Sequence, residues 1–102
     1  LIRTCRQFPL THFDPQLSAL HADTVHHLAE LGVRLIGLDS ASIDPADSKT
    51  LPSHQALRAR GLRVLENLLL DEVPEGDYEL IALPLKLMHA DASPVRAVLR
   101  EL

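Results

Sequence analysis

His54 and Glu66 are a pair whose residue types could share an ion, and they lie twelve residues apart. They sit in SHQALRARGLRVLENL, residues 53–68, a leucine-rich segment with no evident need for an acid between Leu65 and Asn67. Neutral imidazole and carboxylate are both metal ligands, and an ion held by them can polarise a carbonyl or activate a water. On one continuous helix the two side chains would stand about 18 Å apart along the axis, too far to share anything. Gly61 interrupts that helix. About two helical turns carry the chain roughly 9 Å away from His54. A reversed strand rising about 3.3 Å per residue then brings it back by Glu66. His54 falls in the first helical turn, where the dipole disfavours imidazolium. Spacing alone still favours a plainer account, a surface histidine and an edge-strand acid.

Other chemistry-bearing residues carry weaker signals. Asp39 and Asp44, in the loop DSASID, follow an apolar strand-like run, and such loops commonly hold sites in open α/β sheets. They could orient ligands or contact substrate, although capping and turn hydrogen bonding are the commoner duties of these residue types. His26 and His27 are adjacent and diverge on a helix, so they make poor joint ligands. His12 and His21 lie in or beside a loop, and all four histidines are expected to be solvated. Cys5 has no base pattern beside it and reads as a packing residue rather than a nucleophile. No nucleophile elbow, phosphate loop, HExxH or CxxC pattern occurs.

The elements that must position these residues are punctuated by glycine, proline and turn chemistry. Leu1–Arg6 reads as a short strand and residues 7–20, with Pro9 and Pro15, as a long loop. A helix is predicted from Ala22 or Asp23 to Leu31, with Gly32 as its stop. Val33–Leu38 is a buried strand, Asp39–Thr50 a turn-rich loop, and a second helix capped by Thr50 or Ser53 runs to about Arg60. Leu62–Glu66 is again strand-like. Asp71–Asp77 is a turn, and Tyr78–Leu87 is expected as two strand pieces divided by Pro84. Pro94–Leu102 reads as strand in preference to helix. The order helix–Gly–strand occurs twice, which points to an α/β layered fold.

The composition bounds the rest. The chain has 102 residues, 46% hydrophobic and only 3% aromatic, so one aliphatic core is expected. A net charge of −4, with bases scattered among acids, argues against nucleic acid as partner. No apolar run approaches the roughly 18–20 residues of a membrane span. The single cysteine, Cys5, precludes an internal disulfide and fits a reducing, cytoplasmic setting. The chain opens without methionine on strand-like residues and reads as a fragment of a longer protein.

GVRLIGLDSASIDPADSKTLPSHQALRARGLRVLENLLL, residues 32–70, resembles the C-terminal half of bacterial kynurenine formamidases, metal-dependent cyclase-like amidohydrolases. GDYELIALPLKLMHADASPVRAVLREL, residues 76–102, is similar to that family's closing segment. The resemblance covers nearly the whole chain and is strongest from Gly32 onward. It implies a cyclase-like α/β fold with a mixed or barrel-like β core and flanking helices, of which residues 1–102 are the C-terminal portion. It implies hydrolysis of N-formyl-L-kynurenine to L-kynurenine and formate, zinc as cofactor in a centre of two ions, and a homodimer. His54 and Glu66 match two of the family's metal ligands. The remaining ligands and a catalytic histidine belong to an HxGTHxDxPxH-type segment that nothing here matches. Zinc typically takes four ligands, so the fragment alone is expected to be metal-poor and inactive. Two rivals stand beside this reading. One is a related hydrolase acting on a cyclic amide or isatin-like ring; the other is a noncatalytic α/β interaction module.

Overall fold

The computed structural model describes residues 1–102, which form two compact units, Leu1–Glu72 and Val73–Leu102. In the first, the elements run α1 (Ala22–Glu30), β1 (Leu35–Gly37), α2 (Pro52–Arg60) and β2 (Arg63–Leu65). β1 and β2 pair in parallel, Leu35 beside Arg63, Ile36 beside Val64 and Gly37 beside Leu65. Parallel neighbours need a crossover, and here the loop after β1 together with α2 supplies it.

Both helices end where glycine can turn left-handed. Gly32 has φ +89 after α1, and Gly61 has φ +66 at the end of α2. The amide of Gly61 donates to the Arg58 carbonyl, closing the last turn before β2 begins. The start of α1 is capped by His21, whose Nδ1 accepts the Asp23 amide at 3.2 Å. His21 thus serves the helix as well as facing solvent.

The core is aliphatic: Val25 from α1, Ile36 and Leu38 at β1, Ile43 from the loop, Ala56 and Leu57 from α2, and Leu62 ahead of β2. Val25, Leu38 and Ile43 are wholly buried. Removing such side chains from water stabilises by roughly 1.5–3 kcal/mol each.

The first residues depart from expectation. Leu1–Arg6 is not a continuous strand; only Ile2 makes a bridge, parallel to Leu38. Asp39 intervenes, for its carboxylate accepts the amides of Thr4 and Cys5 that a ladder would otherwise use. β1 and β2 are also shorter than the apolar runs that contain them.

The second unit is an antiparallel hairpin of β3 (Tyr78–Pro84) and β4 (Val95–Glu101). Leu80 faces Leu99 and Ala82 faces Ala97, while Ile81 faces Val98 on the opposite side. The expected division of Tyr78–Leu87 into two strand pieces does not occur. Pro84 is the last residue of β3, a terminal position where its missing N–H costs the ladder least. β4 confirms the strand reading of the last residues.

Candidate metal-binding site

The carboxyl ends of the parallel strands lie side by side, and the candidate residues gather there. The Leu38 amide donates to the Leu65 carbonyl at 2.9 Å, and the Leu68 amide to the Leu38 carbonyl at 3.0 Å. Between these bonds the chain leaves β2 through Glu66 and Asn67. Asn67 adopts φ +59, and its amide donates to the Ser40 carbonyl at 2.9 Å.

His54 is the third residue of α2, and Gly61 reverses the chain after it, as the spacing suggested. His54 Nε2 and Glu66 Oε1 stand 3.3 Å apart. The histidine side chain is 35% exposed and that of Glu66 26%, so the pair lies at a half-open edge. Glu66 Oε1 also accepts the amide of the buried Ile43 at 2.9 Å. The acid that looked unexplained in a leucine-rich segment therefore has a structural partner as well as a histidine.

Asp44 faces the other side of the imidazole. Its carboxylate is fully buried, and Oδ2 lies 2.7 Å from His54 Nδ1. Oδ2 also accepts the His54 amide at 3.0 Å, and Oδ1 accepts the Ser53 amide at 2.8 Å. Burial pushes the Asp44 carboxyl up, but the hydrogen bonds from His54 and Ser53 outweigh it and leave it below the usual carboxylate range. Asp44, Ser53 and Ile43 are themselves anchored. The Ser53 hydroxyl donates to the Leu20 carbonyl, and the Leu20 amide donates to the Ile43 carbonyl.

Asp39, the other loop acid, does something different. It is 2% exposed and accepts the amide and hydroxyl of Thr4, both at 2.7 Å, and the amide and thiol of Cys5, both at 3.2 Å. Burial raises its carboxyl, and these donors more than compensate, so it stays ionised below the usual range. The Cys5 thiol is pushed up to about 11 by burial and by the Asp39 carboxylate. It remains a protonated, unreactive thiol, as its lack of a base partner suggested. A cavity of about 500 Å³ borders Cys5, Asp39, Ser40 and Asn67. The side chains of His26 and His27 do not join His54, and His12 lines the loop side of that cavity.

No cluster of three or more potential ligands assembles around one point. The donors on hand nevertheless suit an ion. Tetrahedral zinc with bonds near 2.0–2.1 Å separates two ligand atoms by about 3.3 Å, and His54 Nε2 and Glu66 Oε1 are 3.3 Å apart. A histidine ligand also needs its second nitrogen held by a carboxylate or carbonyl, and Asp44 holds it. Asp44 sits on the Nδ1 side of the ring, so it supports the pair and cannot add a third donor beside Nε2.

No family model matches the chain. A solved structure described as a potential metal-dependent hydrolase with cyclase activity superposes with a TM-score of 0.73 at 36% identity, covering 82% of this chain and 42% of the other. A predicted metal-dependent hydrolase from Bacillus stearothermophilus gives a TM-score of 0.72, also at 36% identity, over 79% of this chain and 39% of its own. The chain thus has the α/β fold of the cyclase-like metal-dependent hydrolases.

Its sequence relatives are narrower in kind. It is 70% identical over 100 residues to the kynurenine formamidase of Paracidovorax citrulli, covering 98% of this chain and 46% of that protein. It is 69% identical over 102 residues to the kynurenine formamidase of Delftia acidovorans, covering 48% of it. The kynurenine formamidase of Maricaulis maris is 57% identical over the same 102 residues. The chain is a homologue of the kynurenine formamidases along its whole length, and it spans about half the length of the relatives it matches.

Proposed function

We propose that this chain is the C-terminal portion of a metal-dependent arylformamidase, which hydrolyses N-formyl-L-kynurenine to L-kynurenine and formate. The observation that carries the reading is the meeting of His54 Nε2 and Glu66 Oε1 at 3.3 Å, in a chain 70% identical to a kynurenine formamidase. His54 and Glu66 would hold the ion. One imidazole and one carboxylate suit zinc, with the further donors of a usual four coming from outside this chain. A zinc ion bound there supplies Lewis-acid polarisation and a water acidic enough to be a nucleophile near neutral pH. The chain's own part is to present the two donors on rigid elements, His54 on the first turn of α2 and Glu66 at the end of β2. Ile43 holds the Glu66 oxygen through its amide. The same resemblance supports a cytoplasmic homodimer with two ions per centre.

A second reading keeps the site and changes the substrate to a cyclic amide or isatin-like ring. The structural neighbour described as having cyclase activity favours it.

The test is a chimera in which this chain replaces the matching 46% of the Paracidovorax citrulli relative. Metal-dependent release of formate from N-formylkynurenine is expected, with loss in the His54→Ala and Glu66→Ala chimeras. The chain alone is expected to bind zinc weakly and to show no turnover. A folded chimera that retains zinc but prefers isatin would move the assignment to the second reading. One whose metal content ignores both substitutions would remove His54 and Glu66 from the site.

A further inference from the structure

We infer that Asp44 is the positioning residue of this site: it fixes His54 as the Nδ1–H tautomer and so directs the bare Nε2 lone pair toward Glu66. The inference rests on the metal reading above, since Nε2 must carry no proton to be a ligand.

An ionised carboxylate only accepts hydrogen bonds. Asp44 Oδ2 lies 2.7 Å from Nδ1, and the Asp44 side chain has no exposure to water. The proton between them therefore belongs to the ring. Glu66 makes the competing claim on the other nitrogen, but at 3.3 Å and from a side chain 26% exposed, where water can take its place. When the ring is neutral, the shorter and drier contact keeps the proton at Nδ1.

Asp44 also fixes where the ring starts from. The residue before α2, Leu51, has φ +48 and offers no side-chain cap. Asp44 supplies the missing cap from the preceding loop, accepting the amides of Ser53 and His54. One buried carboxylate thus holds the backbone and the ring of His54 together. A cap alone would need neither the ring contact nor its length, which is the shortest of the three at 2.7 Å.

The experiment is a long-range proton–nitrogen correlation of the 15N-labelled chain, at a pH where His54 is neutral, followed by zinc titration of the chimera carrying the same substitutions. The unsubstituted chain is expected to show a protonated Nδ1 and a bare Nε2. Asp44→Ala should shift the ring toward Nε2–H, the form that free imidazole side chains favour in water. Because Asp44→Ala also strips the helix cap, Asp44→Asn is the second variant. Its amide oxygen can take the Oδ2 place, accepting the His54 amide and the ring Nδ1–H, while only the Ser53 amide loses its acceptor. Asp44→Asn should therefore keep the Nδ1–H tautomer. In the alanine variant zinc affinity should fall about 10–100-fold, and in the asparagine variant by less. An Nε2–H tautomer in the unsubstituted chain or in Asp44→Asn would overturn the inference, as would an unchanged tautomer in Asp44→Ala. Failure of the unsubstituted chimera to bind zinc would count against the metal reading alone, because the tautomer decides the role of Asp44 without it.

Discussion

Glu66 makes two contacts that two substitutions separate. Its Oε1 accepts the Ile43 amide at 2.9 Å and lies 3.3 Å from His54 Nε2. Glu66→Gln keeps a carbonyl oxygen for the Ile43 amide and removes the charge. A hydrogen bond to a charged group contributes about 1.5–3 kcal/mol and a neutral one about 0.5–1.5, so the change should cost about 1–1.5 kcal/mol. Glu66→Ala removes the acceptor. Ile43 is fully buried, and an unsatisfied buried amide costs about 1–3 kcal/mol. The alanine variant should therefore lose roughly 2 kcal/mol, more than the glutamine variant. Urea unfolding without metal measures both. Zinc affinity should follow a different order, falling by a similar large factor in the two variants because each lacks the anionic donor. Unfolding costs that are equal in the two variants would refute the Ile43 role. A glutamine variant with native zinc affinity would refute the ligand role.

Two further outcomes follow from the same geometry. Asp39→Asn leaves one oxygen for four donors and should cost about 2 kcal/mol at neutral pH. The folded carboxyl is depressed below its ordinary 3.8, so its stabilisation is present above that value and is lost as pH falls through the lower folded one. The gap between wild type and variant should be full at pH 7 and close below about pH 4; a gap that ignores pH would show that the charge of Asp39 is idle. Gly61→Ala meets no atom within 4 Å of the added Cβ but retains φ +66, a conformation that costs an L-residue roughly 1–2 kcal/mol. Its unfolding free energy should drop by about 1 kcal/mol, and a neutral result would show that the turn after α2 relaxes freely.

Much of this was legible in the sequence because it rests on local rules. Gly32 and Gly61 mark the two helix ends since only glycine accepts a left-handed turn without strain. The aliphatic runs through Ile36 and Val64 mark the parallel strands, and the reversal at Gly61 makes it possible for His54 and Glu66 to meet. The resemblance supplied what spacing could not, a reason to prefer that meeting over a surface histidine and an edge acid.

Three features needed the tertiary structure. Asp39 abolishes the strand expected at Leu1–Arg6 by taking the amides of Thr4 and Cys5 across a separation of 34 and 35 residues. Asp44 caps a helix that begins eight residues after it, so no cap pattern at Thr50 or Ser53 could have pointed to it. Glu66 finds the amide of Ile43, 23 residues earlier in the chain. A carboxylate's type shows that it must be satisfied, but its partner is whichever donor the packed chain leaves bare. The sequence by itself therefore determined the elements and the two donor types. Packing alone decided which acid meets each nitrogen of His54 and which ties down the first residues of the chain.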